Sequence, residues 1–170
     1  MARFVRAAKG ARAAMGAVEL ARGERVLAST AEPGAGDVIV ATTFSFALVS
    51  ADGIVRWRRP WLDVDSGSWT GDEGALIVTW MDGSDPARWE VTQTGPFLAV
   101  FRERVQASVV MGKDVEVDGR RVARAVLRKD LATGGIVEQV RWRRGFRAGD
   151  DSRSAVEHAL ARLRDDVGLR

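Results

Sequence analysis

Hydrophobic and polar residues alternate with a period of two through most of the chain after residue 23. This pattern is typical of β-strands that bury one face. It predicts six strands before residue 95, at 24–29, 38–43, 44–50, 54–59, 75–81 and 88–93. Asp52-Gly53 and Asp82-Gly83 each separate two consecutive strands, and this dipeptide favours the tight turn of a β-hairpin. We therefore expect antiparallel hairpins.

A period of 3.6 residues replaces the alternation in three places and predicts helices there. The first helix covers residues 3–21 and is amphipathic, with a basic face and an apolar stripe made mostly of Ala. The second covers residues 96–108, with Pro96 suited to the first helical position. The third begins near Ser154, whose spacing to Glu157 is typical of a capping box, and Gly168 is placed to end it.

A second β section lies between the last two helices. Strands are predicted at 113–117, 120–129 and 136–144, which together form a three-strand meander. The chain of 170 residues therefore divides into three segments. These are an N-terminal amphipathic helix at 1–22, a β region that ends in a helix at 23–111, and the meander plus C-terminal helix at 112–170. We expect the last two segments to pack together as one domain.

The order of these elements resembles the pleckstrin-homology (PH) and GRAM-like domain proteins of bacteria. GERVLAS, VIVATTFSFALVSADG and VRWRRPWLDV carry the likeness, which covers about residues 23–111. The chain is also similar to small uncharacterised proteins of high-GC bacteria with this layout. The resemblance implies an α+β fold, mostly antiparallel β, with a PH-like partly open barrel and a non-catalytic binding role.

The lipid site of that family is not matched by this chain. Lipid-binding members place Lys and Arg between their first two strands, whereas residues 29–37 contain Glu32 and Asp37 and no basic residue. Several arginines or lysines are needed to bind a multiply charged phosphate headgroup. The sequence therefore argues against a phosphoinositide site at that position.

Composition removes several kinds of chemistry. The chain has no Cys and only one His, His158, which excludes disulfides, thiolate metal sites, Cys nucleophiles and His clusters. No phosphate-binding loop or nucleophile-elbow motif occurs, and the carboxylate pairs lie in polar segments. We expect no enzymatic activity and no cofactor. The acidic segment 63–73 fits a solvated loop better than a weak divalent metal site.

Charge is distributed unevenly along the chain. The net charge of +3 comprises +4 for residues 1–60, −6 for residues 61–100 and +5 for residues 101–170. The pentapeptide VRWRR occurs at 55–59 and again at 140–144. Strand alternation places the first two arginines of each copy on one face and the Trp on the other. The arginines are Arg56 and Arg58 in the first copy and Arg141 and Arg143 in the second, where Arg124 and Arg128 could join them.

The favoured interpretation of these Arg faces is a solvated surface paired with the acidic middle of the chain. Weak nucleic-acid binding is the alternative, and it is the less favoured one because the Trp side chains point away from the arginines. Trp61 and Trp69 are expected to be partly exposed, and exposed Trp is enriched in protein interfaces.

The leading hypothesis is a cytoplasmic adaptor, monomeric or homodimeric, that binds a protein partner. The partner would engage a sheet edge or the Trp-containing segment 60–74. The alternative is peripheral association with an anionic membrane, at the inner face, through the basic side of the first helix. That side is formed by Arg3, Arg6, Lys9 and Arg12. Neither a signal peptide nor a membrane-spanning apolar stretch is predicted.

Overall fold

Three antiparallel sheets, three α-helical segments and one 3₁₀ helix make up the part of the protein that the structure describes. A computed structural model describes residues 12–32, 36–71, 73–91 and 95–169. Within these residues the fold is α+β with mostly antiparallel strands and no closed barrel. The predicted fold class is therefore confirmed at this level, and each predicted strand is present, the one at 120–129 with its predicted bounds and the others with shifted bounds.

The two central strands of the first sheet are buried on both faces. Its strands follow the order β1-β2-β3-β4 and are β1 (Val26–Ala31), β2 (Val38–Thr42), β3 (Ser45–Val49) and β4 (Val55–Pro60). Alternation along β2 sends Val38 and Val40 to one face and Ile39 and Ala41 to the other. The first face packs beneath Ala14 of the helical residues 12–17 (α1), and the second faces the main core. Burial of both faces explains the continuous apolar runs.

The N-terminal helix is described only in part. The prediction covered residues 3–21, and of these, residues 12–17 are helical whereas residues 18–21 are not. Residues 3–11 lie outside the described residues.

The second sheet contains a strand that the sequence did not predict. Its order is β5-β6-β7, with β5 (Val64–Thr70), β6 (Ala75–Trp80) and β7 (Ala87–Glu90), and the 3₁₀ helix Trp61–Asp63 leads into β5. The prediction of a solvated acidic loop at 63–73 is therefore wrong for residues 64–70. The strand is hidden in the sequence because Ser66, Gly67 and Ser68 are exposed and small, so pairing with β6 alone defines it.

Helix α2 (Phe97–Ser108) closes the main core against both sheets. Aromatic rings fill this core: Phe46 stacks on Trp61 and Trp80 at centroid distances of 5.0 and 5.7 Å, and Phe101 of α2 meets Phe46 edge-on at 5.8 Å. Aromatic pairs at such distances add about 0.5–1.5 kcal/mol each beyond the burial of their area. The predicted helix at 96–108 is confirmed and anchors this cluster.

The third sheet is the predicted meander, and its order is β10-β9-β8. The strands are β8 (Val109–Val117), β9 (Arg120–Lys129) and β10 (Ile136–Trp142), and helix α3 (Asp150–Asp166) packs on one face. The predicted capping box is wrong, because α3 begins after Gly149 and Ser152 donates a hydrogen bond back to the Gly149 carbonyl at 2.8 Å. Asp150 and Asp151 complement the positive end of the helix dipole instead.

A buried arginine joins the third sheet to the rest of the protein. Arg128 on β9 is 1% exposed. Its Nη2 donates to the Trp61 carbonyl oxygen at 2.8 Å and to Ser108 Oγ at 2.7 Å. Burial lowers the pKa of Arg128, and the nearby carboxylates of Asp65 and Asp63 oppose this shift. The guanidinium thus ties β9 both to the turn before β5 and to the end of α2.

We predict that Arg128→Met lowers the free energy of unfolding by about 2 kcal/mol, since it leaves a buried carbonyl and a buried hydroxyl with fewer partners. Arg124→Met is the matched control because Arg124 lies on the same strand and is exposed. It should change stability by no more than about 0.5 kcal/mol. Urea unfolding of both variants measures the difference. Equal stability of Arg128→Met and the wild type would show that the hydrogen bonds only offset the cost of burying the charge.

Candidate functional site

The arginines of the first VRWRR copy are engaged in the structure of their own sheet. Arg58 donates from Nε to Ser45 Oγ at 2.8 Å and from Nη1 to the Glu19 carbonyl at 2.6 Å, and its Nη2 binds the Glu24 carboxylate. Arg56 lies 3.5 Å from Asp37 Oδ1. The carboxylate partners of Arg56 and Arg58 thus come from the first part of the chain. The expected pairing with the acidic middle is observed for other arginines of the two copies, which are Arg59 with Asp82, Arg141 with Asp65 and Arg144 with Asp85.

Glu24 is a buried carboxylate at the centre of this network and is 6% exposed. It accepts hydrogen bonds from Arg58, Thr42, the Ala21 backbone N–H and Ser45. Burial alone would raise the pKa of Glu24, but these donors together outweigh burial and hold the pKa below its ordinary value. Arg58 is therefore a structural residue that keeps a buried carboxylate ionised.

The second VRWRR copy lines a cleft of about 550 Å³ between β5 and the strands β9 and β10. We call it the arginine cleft. Its lining consists of Asp65, Ser66, Arg121, Ala123, Arg124, Arg141, Trp142, Arg143 and Arg144. The predicted grouping of Arg141, Arg143 and Arg124 is thus observed. Arg121 and Arg144 join them, whereas Arg128 does not, because its side chain is buried under the sheet.

Three of the five arginines in the cleft are paired with carboxylates. Arg141 Nε lies 2.6 Å from Asp65 Oδ2, and its Nη1 donates to the Trp80 carbonyl oxygen at 3.2 Å. Arg121 pairs with Asp114 at 3.0 Å and Arg144 pairs with Asp85 at 3.1 Å. The side chains of these two pairs are more exposed than those of Arg141 and Asp65. Within the described part of the chain, Arg124 and Arg143 form no ion pair.

Trp142 borders the cleft from the side of the sheet that carries α3. It is partly buried, packs against the core formed with α3, and stacks on Phe146 at 5.9 Å with an interplanar angle of 13°. The expectation that the VRWRR tryptophans point away from the arginines therefore agrees with the structure. Trp57 of the first copy is likewise partly buried against the main core.

A second cavity of about 440 Å³ lies between strand β5 and helix α2, and we call it the β5–α2 groove. Its lining residues are mostly apolar at the base and polar at the rim. They are Gly67, Ser68, Trp69, Leu76, Leu98, Phe101, Arg102, Val105 and Gln106. The prediction of a partly exposed Trp69 agrees with its place here, half-buried in the wall of the groove.

Gly67 allows α2 to lie directly against β5. A Cβ atom built on Gly67 would lie 2.3 Å from Phe101 Cε1, so any side chain here would displace the aromatic ring. The close contact lets Phe101 form the base of the groove while Leu98 and Val105 form its helical wall. The sequence signal for this contact, a glycine in a polar stretch, is too common to have identified it.

Trp61 is not a surface residue, and the prediction of its exposure is wrong. It is 0% exposed, stacks on Phe46, and donates from Nε1 to the Thr42 carbonyl oxygen at 2.9 Å. The 3₁₀ helix that follows Pro60 turns the indole inward, and its N–H is satisfied there. Of the candidate interface at 60–74, strand β5 with its residue Trp69 therefore remains.

The residues of the membrane alternative are largely outside the described part of the chain. This applies to Arg3, Arg6 and Lys9, whereas Arg12 is exposed at the start of the helical residues 12–17. No helix among the described residues is both long and apolar enough to cross a bilayer. Nor do three or more His, Asp or Glu side chains of the described ranges cluster as metal ligands.

We predict that Glu24→Gln lowers the free energy of unfolding by about 2 kcal/mol near neutral pH, because it removes a buried charge that accepts four hydrogen bonds. The pKa of Glu24 is lower in the folded state, so its contribution is complete above the unfolded pKa of about 4.3 and is lost as pH falls through the folded pKa.

The difference between wild type and Glu24→Gln should therefore stay constant above about pH 5 and shrink at lower pH. Urea unfolding across this range measures it, with exposed Glu116→Gln as the control. A difference that does not depend on pH would contradict the ionised form of Glu24.

Comparison with known proteins gives neither surface a precedent. No protein-family model matches the chain, and no curated protein matches its sequence. A function for the arginine cleft or for the β5–α2 groove must therefore follow from their own residues and geometry.

Proposed function

We propose that the chain is a non-catalytic binding protein that takes an extended segment of a partner protein along strand β5. The observation that carries the proposal is the combination of an exposed edge strand with an apolar groove beside it. β5 has β6 as its neighbour on one side, and Ser66, Gly67 and Ser68 are exposed. The outer side of an edge strand presents main-chain donors and acceptors that a further strand can pair with.

The β5–α2 groove supplies the specificity that main-chain pairing lacks. In strand addition, alternate side chains of the added strand enter pockets next to the edge. Trp69, Leu98 and Val105 give the groove apolar walls, and Arg102 and Gln106 give it a polar rim. An apolar side chain of the partner would be buried there while its neighbours in sequence remain in solvent. This composition, an aromatic and apolar centre with an Arg at the rim, is common in protein interfaces.

We further propose that residues 23–111 are PH-like. Support comes from the order of elements, in which a four-strand sheet precedes a three-strand sheet and a helix then packs across the core between them. In this view the meander and α3 are an addition to a binding domain. The β5–α2 groove then lies within the PH-like residues 23–111, whereas the arginine cleft forms between these residues and the added meander.

The test is a selection of short random peptides on the full chain, followed by titration of the selected peptides. We expect Leu98→Lys to weaken their binding about tenfold or more, because it places a charge in the apolar wall. Leu20→Lys is the matched control, since Leu20 is exposed at 45% and lies outside the groove. It should change affinity by less than about twofold.

N-methylation of single peptide bonds in a selected peptide tests strand addition itself. Methylation removes one donor, so affinity should fall at every second position and be retained between them. If the selected peptides bind Leu98→Lys and the wild type with the same affinity, the β5–α2 groove is not their binding site. Loss of affinity without a period of two would refute strand addition.

A further inference from the structure

The arginine cleft holds more positive charge than its carboxylates balance. Five arginines line it, and the carboxylates that pair with them are Asp65, Asp114 and Asp85. Asp65 is the acidic residue among the lining residues. Arg124 and Arg143 have no ion pair with any residue that the structure describes. Two guanidinium groups in the cleft are thus available to a ligand.

The strand register brings these charges together. Arg141 of β10 is the direct partner of Arg124 of β9, and side chains of directly paired residues on one face have Cβ atoms about 5 Å apart. Arg143 continues the backbone pairing of β10 with β9, because its N–H donates to the Val122 carbonyl oxygen at 2.9 Å. Strand alternation then places the Arg143 side chain on the same face as that of Arg141. Like charges directly opposite destabilise a sheet. An anion between them would convert this repulsion into attraction.

Asp65, the carboxylate in the cleft, restrains one arginine and does not bind Arg124 or Arg143. Asp65 holds Arg141, whose position is fixed further by the Trp80 carbonyl. Arg141 is therefore preorganised as one wall, with Arg124 opposite and Arg143 beside it. Ser66 adds a hydroxyl group to the lining of the cleft, and its Oγ forms a hydrogen bond with Thr79 Oγ1 at 2.7 Å. Guanidinium groups match phosphate oxygens in a bidentate geometry.

We propose that the arginine cleft binds a small anion that carries two or more phosphate groups. Its volume of about 550 Å³ lies within the range of small-ligand sites, about 300–1,000 Å³. Arg124 and Arg141 are directly paired, with Cβ atoms about 5 Å apart, and Arg143 lies beside them, so several guanidinium groups line one cleft and suit linked phosphates better than a single charge. The site is formed by β9, β10 and the start of β5, so the proposal does not rest on peptide binding in the β5–α2 groove.

A small anion fits the surroundings of the cleft better than a nucleic-acid strand does. Asp85 and Asp114 are bound to lining arginines but do not line the cleft themselves, so carboxylates stand next to it. A phosphate backbone that continued past the cleft would meet them. Trp142, the tryptophan among the lining residues, is stacked on Phe146 and packs toward α3, so the ring face against Phe146 is not open to a base.

The test is calorimetric titration of the full chain with sodium tripolyphosphate at about 0.15 M salt. We expect one bound anion per chain. In Arg124→Gln/Arg143→Gln the affinity should fall about a hundredfold or more, because each lost charge-assisted hydrogen bond costs about tenfold or more. The matched control is Arg22→Gln/Arg162→Gln, which removes the same charge from exposed positions outside the cleft. It should bind within about twofold of wild type.

Thermal unfolding of both double variants and a titration of Arg143→Glu alone separate loss of the site from loss of the fold. No binding of tripolyphosphate by the wild type would overturn the proposal. So would equal weakening in the two double variants, which would indicate general charge attraction. A single-stranded oligonucleotide that binds through Arg124 and Arg143 when tripolyphosphate does not would also overturn it, in favour of a nucleic-acid surface.

Vesicles with a multiply phosphorylated lipid headgroup identify the source of the phosphates. Binding of both tripolyphosphate and vesicles, each lost in Arg124→Gln/Arg143→Gln, would support the proposal with a lipid as the ligand. Binding of tripolyphosphate without vesicle binding would support it with a soluble anion. Peptide binding in the groove is measured separately, so failure of one proposal leaves the other testable.

Discussion

The buried guanidinium of Arg128 determines where the third sheet lies. A buried charge is costly, and here the charge has two neutral hydrogen-bond acceptors and two carboxylates at longer range to stabilise it. The acceptors belong to Trp61, at the turn into β5, and to Ser108, at the end of α2. These two hydrogen bonds tie β9 to the turn before β5 and to the end of α2, and the ion pair of Arg141 with Asp65 ties β10 to β5 itself. The arginine cleft, which opens between these strands, depends on these contacts.

Strand β5 connects the two surfaces. Asp65 and Ser66 line the arginine cleft, and the next residues, Gly67 to Trp69, line the β5–α2 groove. A strand with apolar alternation would have been covered by another layer. The small polar residues of β5 keep its edge exposed, and Gly67 brings Phe101 close enough to shape the groove. The residues that make β5 hard to recognise in the sequence are therefore those that make it a binding edge.

The sequence predicts the parts of the fold that bury regular patterns. β2, β3 and β9 carry apolar runs, and α2 and α3 carry apolar stripes. All five elements were therefore predicted, β9 with its observed bounds and the others with small errors in their ends. The errors occur where contacts or local geometry that the sequence pattern does not show determine the structure. β5 is defined by its partner strand, and Trp61 is turned inward by a 3₁₀ helix. Helix α3 starts before its predicted cap. The cleft was predicted in part, since the register that opposes Arg141 to Arg124 follows from the meander, but the burial of Arg128 does not.

The two copies of VRWRR show why a basic motif does not by itself define a site. The first arginine of each copy pairs with an aspartate, and so does the last: Arg59 binds Asp82 and Arg144 binds Asp85 at the same distance of 3.1 Å. The middle arginine differs. Arg58 meets Glu24, a carboxylate that the fold has buried, whereas no carboxylate of the described residues reaches Arg143. The same pentapeptide therefore gives a structural ion pair at Arg58 and an arginine without a described ion pair at Arg143. The difference arises because the fold places a buried carboxylate beside the first and not beside the second.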